Sequence, residues 1–185
     1  LDVLKYKKPV GKKVAVIGAG GIGFDISEYL CHSGVATSQN IPAFMKEWGV
    51  DMTLTARGGI EGVEAVVSAP AREVYLLQRK TTKVGAKLGK TTGWIHRTGL
   101  KNKSVNMIAG CSYDKIDDQG LHITVDGAEE VLDVDNVIIC AGQDPMRALV
   151  EGLNKPHHLI GGADVAAELD AKRAIDQGTR LAAKI

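Results

Sequence analysis

Apolar residues in the first part of the chain fall in short continuous runs rather than in alternation. The first run, Val14-Ala15-Val16-Ile17, follows the basic pair Lys12-Lys13 and suits a strand buried on both faces of a parallel sheet. It leads into Gly18-Ala19-Gly20-Gly21-Ile22-Gly23. After that, Ile22, Ile26 and Leu30 recur at four-residue spacing, one stripe of a helix that ends near Gly34. Strand, glycine turn and helix are the opening of a βαβ unit. Residues 73–78 read as a second buried strand, residues 92–102 as a helix and residues 105–108 as a third strand. The pattern then changes: segments 112–116, 121–125 and 131–132 are separated by Asp117-Asp118-Gln119-Gly120 and Asp126-Gly127, the signature of an antiparallel meander. A last buried strand, Val137-Ile138-Ile139-Cys140, stops at Ala141-Gly142. Leu159 to Asp164 reads as strand then turn. Residues 164–185 read as a helix with apolar positions at Leu169, Ala174, Ile175, Leu181 and Ala182.

Residues 35–73 carry a weaker pattern: a short helix at Ile41 to Trp48 after Pro42, a strand at Asp51 to Thr55, and loop at Gly58-Gly59 and Ser68-Ala69-Pro70. They are read as an insertion over the sheet. The sum is an α/β, Rossmann-like nucleotide-binding domain, a parallel sheet with a β-meander set into one crossover.

Composition sharpens this without redirecting it. The 185 residues carry 23 Lys plus Arg against 22 Asp plus Glu, a formal charge of +1, which offers no global attraction to nucleic acid or to an anionic membrane surface. Glycine is the outlier at 22 residues, against a usual share of about 7%. Aromatics at 4% argue against stacking platforms for single-stranded nucleic acid. No apolar run approaches the roughly 18 residues of a membrane span, and the basic N-terminus leads into no signal-peptide core. Cys31, Cys111 and Cys140 are too few and too scattered for a disulfide framework, a zinc site or an iron–sulfur cluster, so a reducing, cytoplasmic compartment is expected. The chain begins at Leu1 without methionine and is expected to be a piece of a longer polypeptide.

Gly18-x-Gly20-x-x-Gly23 has dinucleotide-binding spacing. Gly18 allows the tight turn, Gly20 lets backbone approach a pyrophosphate, and Gly23 lets helix pack on strand. The helix start adds free N–H groups and a partial positive charge, so Ala19, Gly21 and Ile22 belong to the same phosphate cradle. The acidic residue that usually grips the ribose hydroxyls about 20 residues on has no convincing counterpart, since Glu47 and Asp51 sit at no strand end. Arg79-Lys80 stand at the end of the second strand instead, suited to a ribose 2′-phosphate and hence to NADPH. Glycine rather than alanine at position 23 points the other way, toward NADH; the two cations outweigh one methyl group. From Val74 through Tyr113 there is no acid, while Arg79, Lys80, Lys83, Lys87, Lys90, Arg97, Lys101 and Lys103 are all present, most of them read as a solvated basic surface.

Substrate machinery is missing from the pattern. None of Tyr6, Tyr29, Tyr75 or Tyr113 has a lysine four positions on, and there is no Cys-x-x-Cys. His122 alternates in a meander strand and reads as surface, as does His157-His158 ahead of the final strand, for which no third metal ligand is in place. No catalytic and no metal-binding residue is assigned. The reading is of a chain that binds a hydride donor and passes electrons elsewhere.

Leu77-Gln78-Arg79-Lys80, residues 88–97 (Leu-Gly-Lys-Thr-Thr-Gly-Trp-Ile-His-Arg) and residues 137–143 resemble the C-terminal part of the bacterial NADPH-dependent 2,4-dienoyl-CoA reductase family. So do His158-Leu159-Ile160-Gly161-Gly162-Ala163-Asp164 and Glu168-Leu169-Asp170-Ala171-Lys172-Arg173. The resemblance implies a modular enzyme of fatty acid β-oxidation. An old-yellow-enzyme-like barrel with FMN and the acyl-CoA site is followed by a 4Fe-4S cluster, then by an FAD domain interrupted by an NADPH domain. It implies that residues 1–145 are the NADPH domain and residues 146–185 the returning strand and helix of the FAD domain, whose first half is outside this sequence. The partners would then be the nucleotide and the rest of the same polypeptide. Gly18, Gly20 and Gly23 would hold the NADPH pyrophosphate, Arg79 and Lys80 the 2′-phosphate. Ala141-Gly142 resembles the turn that re-enters the FAD domain, and Gly162-Ala163-Asp164 the second FAD contact; the less favoured reading of Asp164, on spacing alone, is a plain helix N-cap. Two other readings stay open: a stand-alone NADP(H)-binding sensor, and the same module of another flavin–cluster enzyme of the trimethylamine-dehydrogenase type.

Overall fold

The computed structural model describes residues 1–34, 36–167 and 171–185. They form two units, residues 1–141 and residues 142–185. In the first unit, strand β1 (Lys13–Ile17) is followed by helix α1 (Gly21–Cys31), helix α2 (Ile41–Trp48), strand β2 (Glu73–Leu77), helix α3 (Gly93–Asn102) and strand β3 (Asn106–Ile108). Strands β4 (Cys111–Asp117), β5 (Gly120–Val125) and β6 (Ala128–Leu132) then form the meander, and β7 (Asn136–Ile139) completes the main sheet. That sheet has the order β3-β2-β1-β7 with every pair parallel, so this is a Rossmann-like α/β fold.

The alternation of side chains along β1 divides the interior in two. Val14 and Val16 face the helices, where with Val74 and Leu76 they pack against Phe24, Ile26 and Leu30. Ala15 faces the other way and joins Leu77, Leu121, Ile123 and Leu132 under the meander. The three-stranded antiparallel sheet β4-β5-β6 thus covers the face of the parallel sheet that a crossover helix would otherwise cover. Its second hairpin is the expected one: Asp126 and Gly127 both take positive φ, 50° and 81°, between the paired residues Val125 and Ala128.

In the first unit three expectations need correction. Ile22 is 48% exposed and off the buried stripe of α1, which runs through Gly23, Phe24, Ile26, Ser27, Leu30 and Cys31. At 3.6 residues per turn, positions 23, 26, 27 and 30 share a face and position 22 rotates toward its rim. The helix also stops at Cys31, with His32 as its cap. Residues 51–55 form no strand, because the Asp51 carboxylate accepts from the backbone N–H groups of Thr53, Thr55 and Ala56 and curls the chain around itself. By contrast α2 forms as read, with Asn40 accepting from the Ala43 N–H at its start and Gly49 in the left-handed region at its end.

In the second unit, residues 159–164 hold a 3-10 turn, Gly161–Ala163, and no strand. Among the described residues of this unit there is no other strand to supply a ladder. Helix α4 spans Ala171–Ala182 and does not begin at Asp164. Arg147 instead donates to the carbonyls of Ala163 and Asp164 at 2.9 and 2.6 Å, and Arg173 to that of Val165, holding these carbonyls in place of a helical ladder. Of the expected apolar positions, Ala174 and Leu181 are half-buried, Ile175 and Ala182 are exposed, and Leu169, with Glu168 and Asp170, lies outside the described residues.

Candidate functional site

The order β3-β2-β1-β7 runs one way from β1 to β3 and the other way to β7, so a crevice opens at the carboxyl ends of β1 and β7. The glycine turn sits there. Gly18 takes φ +108°, and a Cβ on it would lie 2.7 Å from the carbonyl oxygen of Cys140. Two independent constraints therefore demand glycine. A Cβ on Gly23 would lie 1.8 Å from the Gly18 carbonyl oxygen. Gly20 is different: it has ordinary extended backbone, φ −84° and ψ −174°, and a Cβ there would meet nothing within 4 Å. Its lack of a side chain leaves open space in front of the first turn of α1. No side chain caps that turn, so its N–H groups keep their donors for whatever enters.

The space is a cavity of about 230 Å³. Ile17, Gly18, Ala19 and Gly20 form one wall, Gln78, Arg79 and Lys80 the end of β2, Thr82, Ala86 and Lys87 the following loop, and Tyr113 and Ala141 the remaining sides. Among the described residues the lining holds three cations and no carboxylate. Among the described residues Arg79 has no hydrogen-bond or ion-pair partner, and it is exposed to the cavity mouth. The loop beyond it is fixed rather than loose: Arg97 donates to the Gly85 carbonyl at 2.9 Å, Val84 is buried, and a Cβ on Gly85 would strike the Phe24 ring at 2.6 Å. A larger groove of about 560 Å³ runs between α1, α2 and α3. It shares no residue with the glycine-turn cavity, and its most buried charges, Glu47 and Lys103, are already paired at 3.2 Å.

Of the residues read from sequence, Gly18, Ala19, Gly20, Arg79, Lys80 and Ala141 come together around the cavity, with Gly21, Ile22 and Gly23 behind them in the first turn of α1. Gly142, Gly162, Ala163 and Asp164 belong to the second unit. There the Asp164 carboxylate accepts from the Gln177 side chain at 3.0 Å and the Gly161 N–H donates to the Gln177 carbonyl oxygen at 2.6 Å. Tyr113, Thr82, Ala86 and Lys87 were not read as site residues. Tyr113 was findable: it pairs with the fully buried Ile123, so it shares the inward face of β4 with Cys111. Burial, with the neighbouring Cys111, pushes its phenol up to about 12 against the pull of Arg79, so it stays protonated at neutral pH.

The other titrating groups do structural work. Burial pushes the Cys31 thiol up to about 11 and raises Cys111 and Cys140 as well, which keeps all three protonated and weakly nucleophilic. His122 is less exposed than a surface position implies and pairs with Asp117 at 2.8 Å. His157 and His158 are exposed. Among the described residues no group of His, Cys, Asp and Glu could hold a metal ion, and no helix is long and apolar enough to cross a membrane.

The sequence model of the pyridine nucleotide-disulphide oxidoreductase family matches residues 2–172. A curated relative, the metal reductase of Desulforamulus reducens, is 21% identical over 152 residues, covering 82% of this chain and 21% of that protein. Among solved structures, a 2-naphthoyl-CoA reductase in complex with 2-naphthoyl-CoA superposes with a TM-score of 0.63 at 21% identity, covering all of this chain and 23% of the other. A bacillithiol disulfide reductase from Staphylococcus aureus gives 0.49 at 12% identity, covering 78% and 33%. The chain therefore spans about a fifth of the length of the curated relative it matches. The family binds FAD and NAD(P)H. The described residues fit a dinucleotide: an open cradle where a Cβ on Gly20 would stand, uncapped first-turn donors, and a cationic wall with no carboxylate among them.

Proposed function

The chain belongs to the pyridine nucleotide-disulphide oxidoreductase family, and from that premise we propose that it is the NADPH-binding electron-input module of a flavin-dependent 2,4-dienoyl-CoA reductase. In this reading residues 1–145 bind the nucleotide. Residues 146–185 return to an FAD domain completed elsewhere in the polypeptide, which also carries FMN, a 4Fe-4S cluster and the acyl-CoA site. The cytoplasm supplies the reducing compartment. The observation that carries the cofactor choice is Arg79, which among the described residues has no hydrogen-bond or ion-pair partner and stands on the wall of a cavity lined by a glycine turn and, among those residues, by no carboxylate. The motif at residues 88–97 supports the acyl-CoA assignment, as does the fold shared with a protein named for reducing a CoA thioester.

The chain's own residues bind and orient. Gly18 and Gly23 let strand and helix approach closely, and Gly20 leaves room for a pyrophosphate against the first-turn N–H groups. Arg79 and Lys80 neutralise a 2′-phosphate; Ala141 closes the cavity beside the turn, and Gly142, Gly162, Ala163 and Asp164 serve the flavin half. When bound here, NADPH would supply a hydride equivalent for a flavin held in the rest of the polypeptide.

Each charge-assisted contact to phosphate contributes roughly 1.5–3 kcal/mol, so Arg79→Ala should weaken NADPH binding about tenfold or more and NADH binding much less. Calorimetric titration of both nucleotides decides this. Equal losses would remove the 2′-phosphate from this wall. For the substrate, the intact polypeptide should consume NADPH only when a 2,4-dienoyl-CoA is added; consumption that ignores the dienoyl-CoA would overturn that part.

A further inference from the structure

The turn that carries Arg79 and Lys80 is shaped by the residue before them. Gln78 is the first residue past β2, and its backbone is fixed on both sides: its N–H donates to the Ile108 carbonyl at 3.0 Å and its carbonyl accepts from the Cys111 N–H at 3.1 Å. Its side chain lines the nucleotide cavity but spends both amide hydrogens on its own loop. Nε2 donates to the carbonyl of Lys80 at 2.9 Å and to that of Thr82 at 2.5 Å. The Lys80 carbonyl accepts a second bond, from the Gly110 N–H at 3.0 Å, which anchors the loop to the turn before β4.

These bonds bear on charge. A carbonyl oxygen turned into the cavity would repel an anion, and two such oxygens are occupied by one amide. The same bonds fix the backbone from which Arg79 and Lys80 extend, so less freedom is lost when they close on an anion. A carboxylate in place of the amide would have no hydrogen to donate, would face two carbonyl oxygens, and would compete with an incoming anion for the cations.

We propose that Gln78 is a positioning residue for cofactor discrimination: through the backbone of residues 80–82 it holds the cationic turn in the shape that favours a 2′-phosphorylated nucleotide. The inference rests on the NADPH reading above. It predicts that Gln78→Glu lowers NADPH affinity roughly tenfold or more, with a change in NADH affinity of about threefold or less, because only the 2′-phosphate meets the altered turn. Gln78→Met keeps the volume and removes the donors without adding charge; it should lower NADPH affinity by roughly threefold to tenfold and again spare NADH.

The experiment is calorimetric titration of NADPH, NADH and adenosine 2′,5′-bisphosphate against the wild-type chain and both variants, with thermal melts alongside. A purely structural residue would lower the melting temperature and weaken all three ligands together. Selective loss of the two 2′-phosphorylated ligands, in the folded Gln78→Met chain if Gln78→Glu does not fold, supports the proposal. A wild type that prefers NADPH and a folded Gln78→Met chain that keeps the full preference overturn the proposal and leave the NADPH reading standing. A wild type that binds NADPH and NADH equally overturns the NADPH reading itself, and the tether with it.

Discussion

Two glycines three residues apart should fail in opposite ways when each gains a methyl group. At Gly23 the new Cβ would sit 1.8 Å from the Gly18 carbonyl oxygen and 3.4 Å from Leu76 Cδ1. The Gly18 carbonyl cannot easily retreat, because the Gly18 N–H is bonded to the Leu77 carbonyl at 2.9 Å and a Cβ there would already collide with Cys140. So α1 must lift off the sheet by more than an ångström, taking Phe24, Ile26 and Leu30 away from Val14 and Val16. Overpacking of this kind costs about 1–3 kcal/mol, sometimes more, and at about 2–4 °C per kcal/mol Gly23→Ala should melt roughly 2–12 °C lower. At Gly20 the methyl meets nothing and the backbone is ordinary, so Gly20→Ala should stay within about 1 kcal/mol of wild type. It fills the cradle, however, and should weaken NADPH and NADH alike by roughly tenfold, since both carry the pyrophosphate. Differential scanning calorimetry and nucleotide titration on the two variants read both quantities. A Gly23→Ala chain that melts with wild type, or a Gly20→Ala chain that binds nucleotide normally, would refute the assignment of packing to one glycine and ligand approach to the other. The same geometry removes the apparent signal for NADH: glycine at position 23 is a packing requirement here, whichever nucleotide binds.

Lys103 ties the 36–70 insertion to the end of α3, bonding Glu47 at 3.2 Å, the Ser68 hydroxyl at 2.7 Å and the Ser68 carbonyl at 3.1 Å. Lys103→Met should therefore raise amide exchange through residues 41–68 by roughly tenfold while leaving β1 and β2 protected, and uniform acceleration would show that the bonds are not local. Acid should destabilise the fold through carboxylates whose folded-state pKa is depressed. Hydrogen bonds from Thr53 and from the N–H groups around it lower Asp51, Lys115 and His122 lower Asp117, and the N–H groups of Lys13 and Lys12 lower Asp135. In Glu47 burial pushes upward, but the Thr37 hydroxyl and Lys103 together outweigh it. The unfolded chain binds these protons first, so the stabilisation is complete above the ordinary values of 3.8 for Asp and 4.5 for Glu and is lost as pH falls below them. Melting temperature should stay level from pH 7 to 5 and drop below about 4.5, and Asp51→Asn should melt lower than wild type at pH 7 with the gap narrowing progressively as pH falls below about 3.8. A gap that is constant with pH would mean that Asp51 acts through shape rather than charge.

The parts of the fold that were legible share one physical property: their side chains and their backbone ask for the same thing. Val14 to Ile17 is apolar on both faces and lies between two parallel strands, and Asp126-Gly127 supplies the positive φ that its hairpin needs. The misreadings come where a side chain takes over the backbone's bonds. Asp51 to Thr55 has the apolar alternation of a short strand, yet one carboxylate captures three N–H groups before any ladder can. Leu159 and Ile160 look like a buried strand, but a strand exists only with a partner, and periodicity does not say whether one is present. At the site, the turn residues announced themselves because glycine is demanded by geometry. Tyr113 did not, since it reaches the cavity from a strand far along the sequence from the turn at Ala19, and only the register of β4 on β5 fixes which way it faces.

Charge explains why the site lies where it does on a chain that is nearly neutral overall. The acids that balance the basic stretch from Val74 to Tyr113 fall between Asp114 and Asp135, and the fold uses them locally. Asp114 accepts from Ser112 and Thr124, Asp117 pairs with Lys115 and His122, Asp133 pairs with Lys13 at 2.6 Å, and Asp135 accepts the N–H groups of Lys12 and Lys13 at 2.6 and 2.8 Å. Lys12 and Lys13 open β1 while the glycine turn leaves it, so Asp133 and Asp135 sit at the amino end of the sheet and the cavity at its carboxyl end. Screening over about 8–10 Å at physiological salt separates the two ends of a five-residue strand, which at about 3.3 Å per residue is longer than that. Among the described residues Arg79 at the mouth has no carboxylate partner, so its field is kept for a ligand. The helix dipole of α1 adds to that field from the same side. Strand direction, rather than net charge, makes one end of this sheet attractive to an anion.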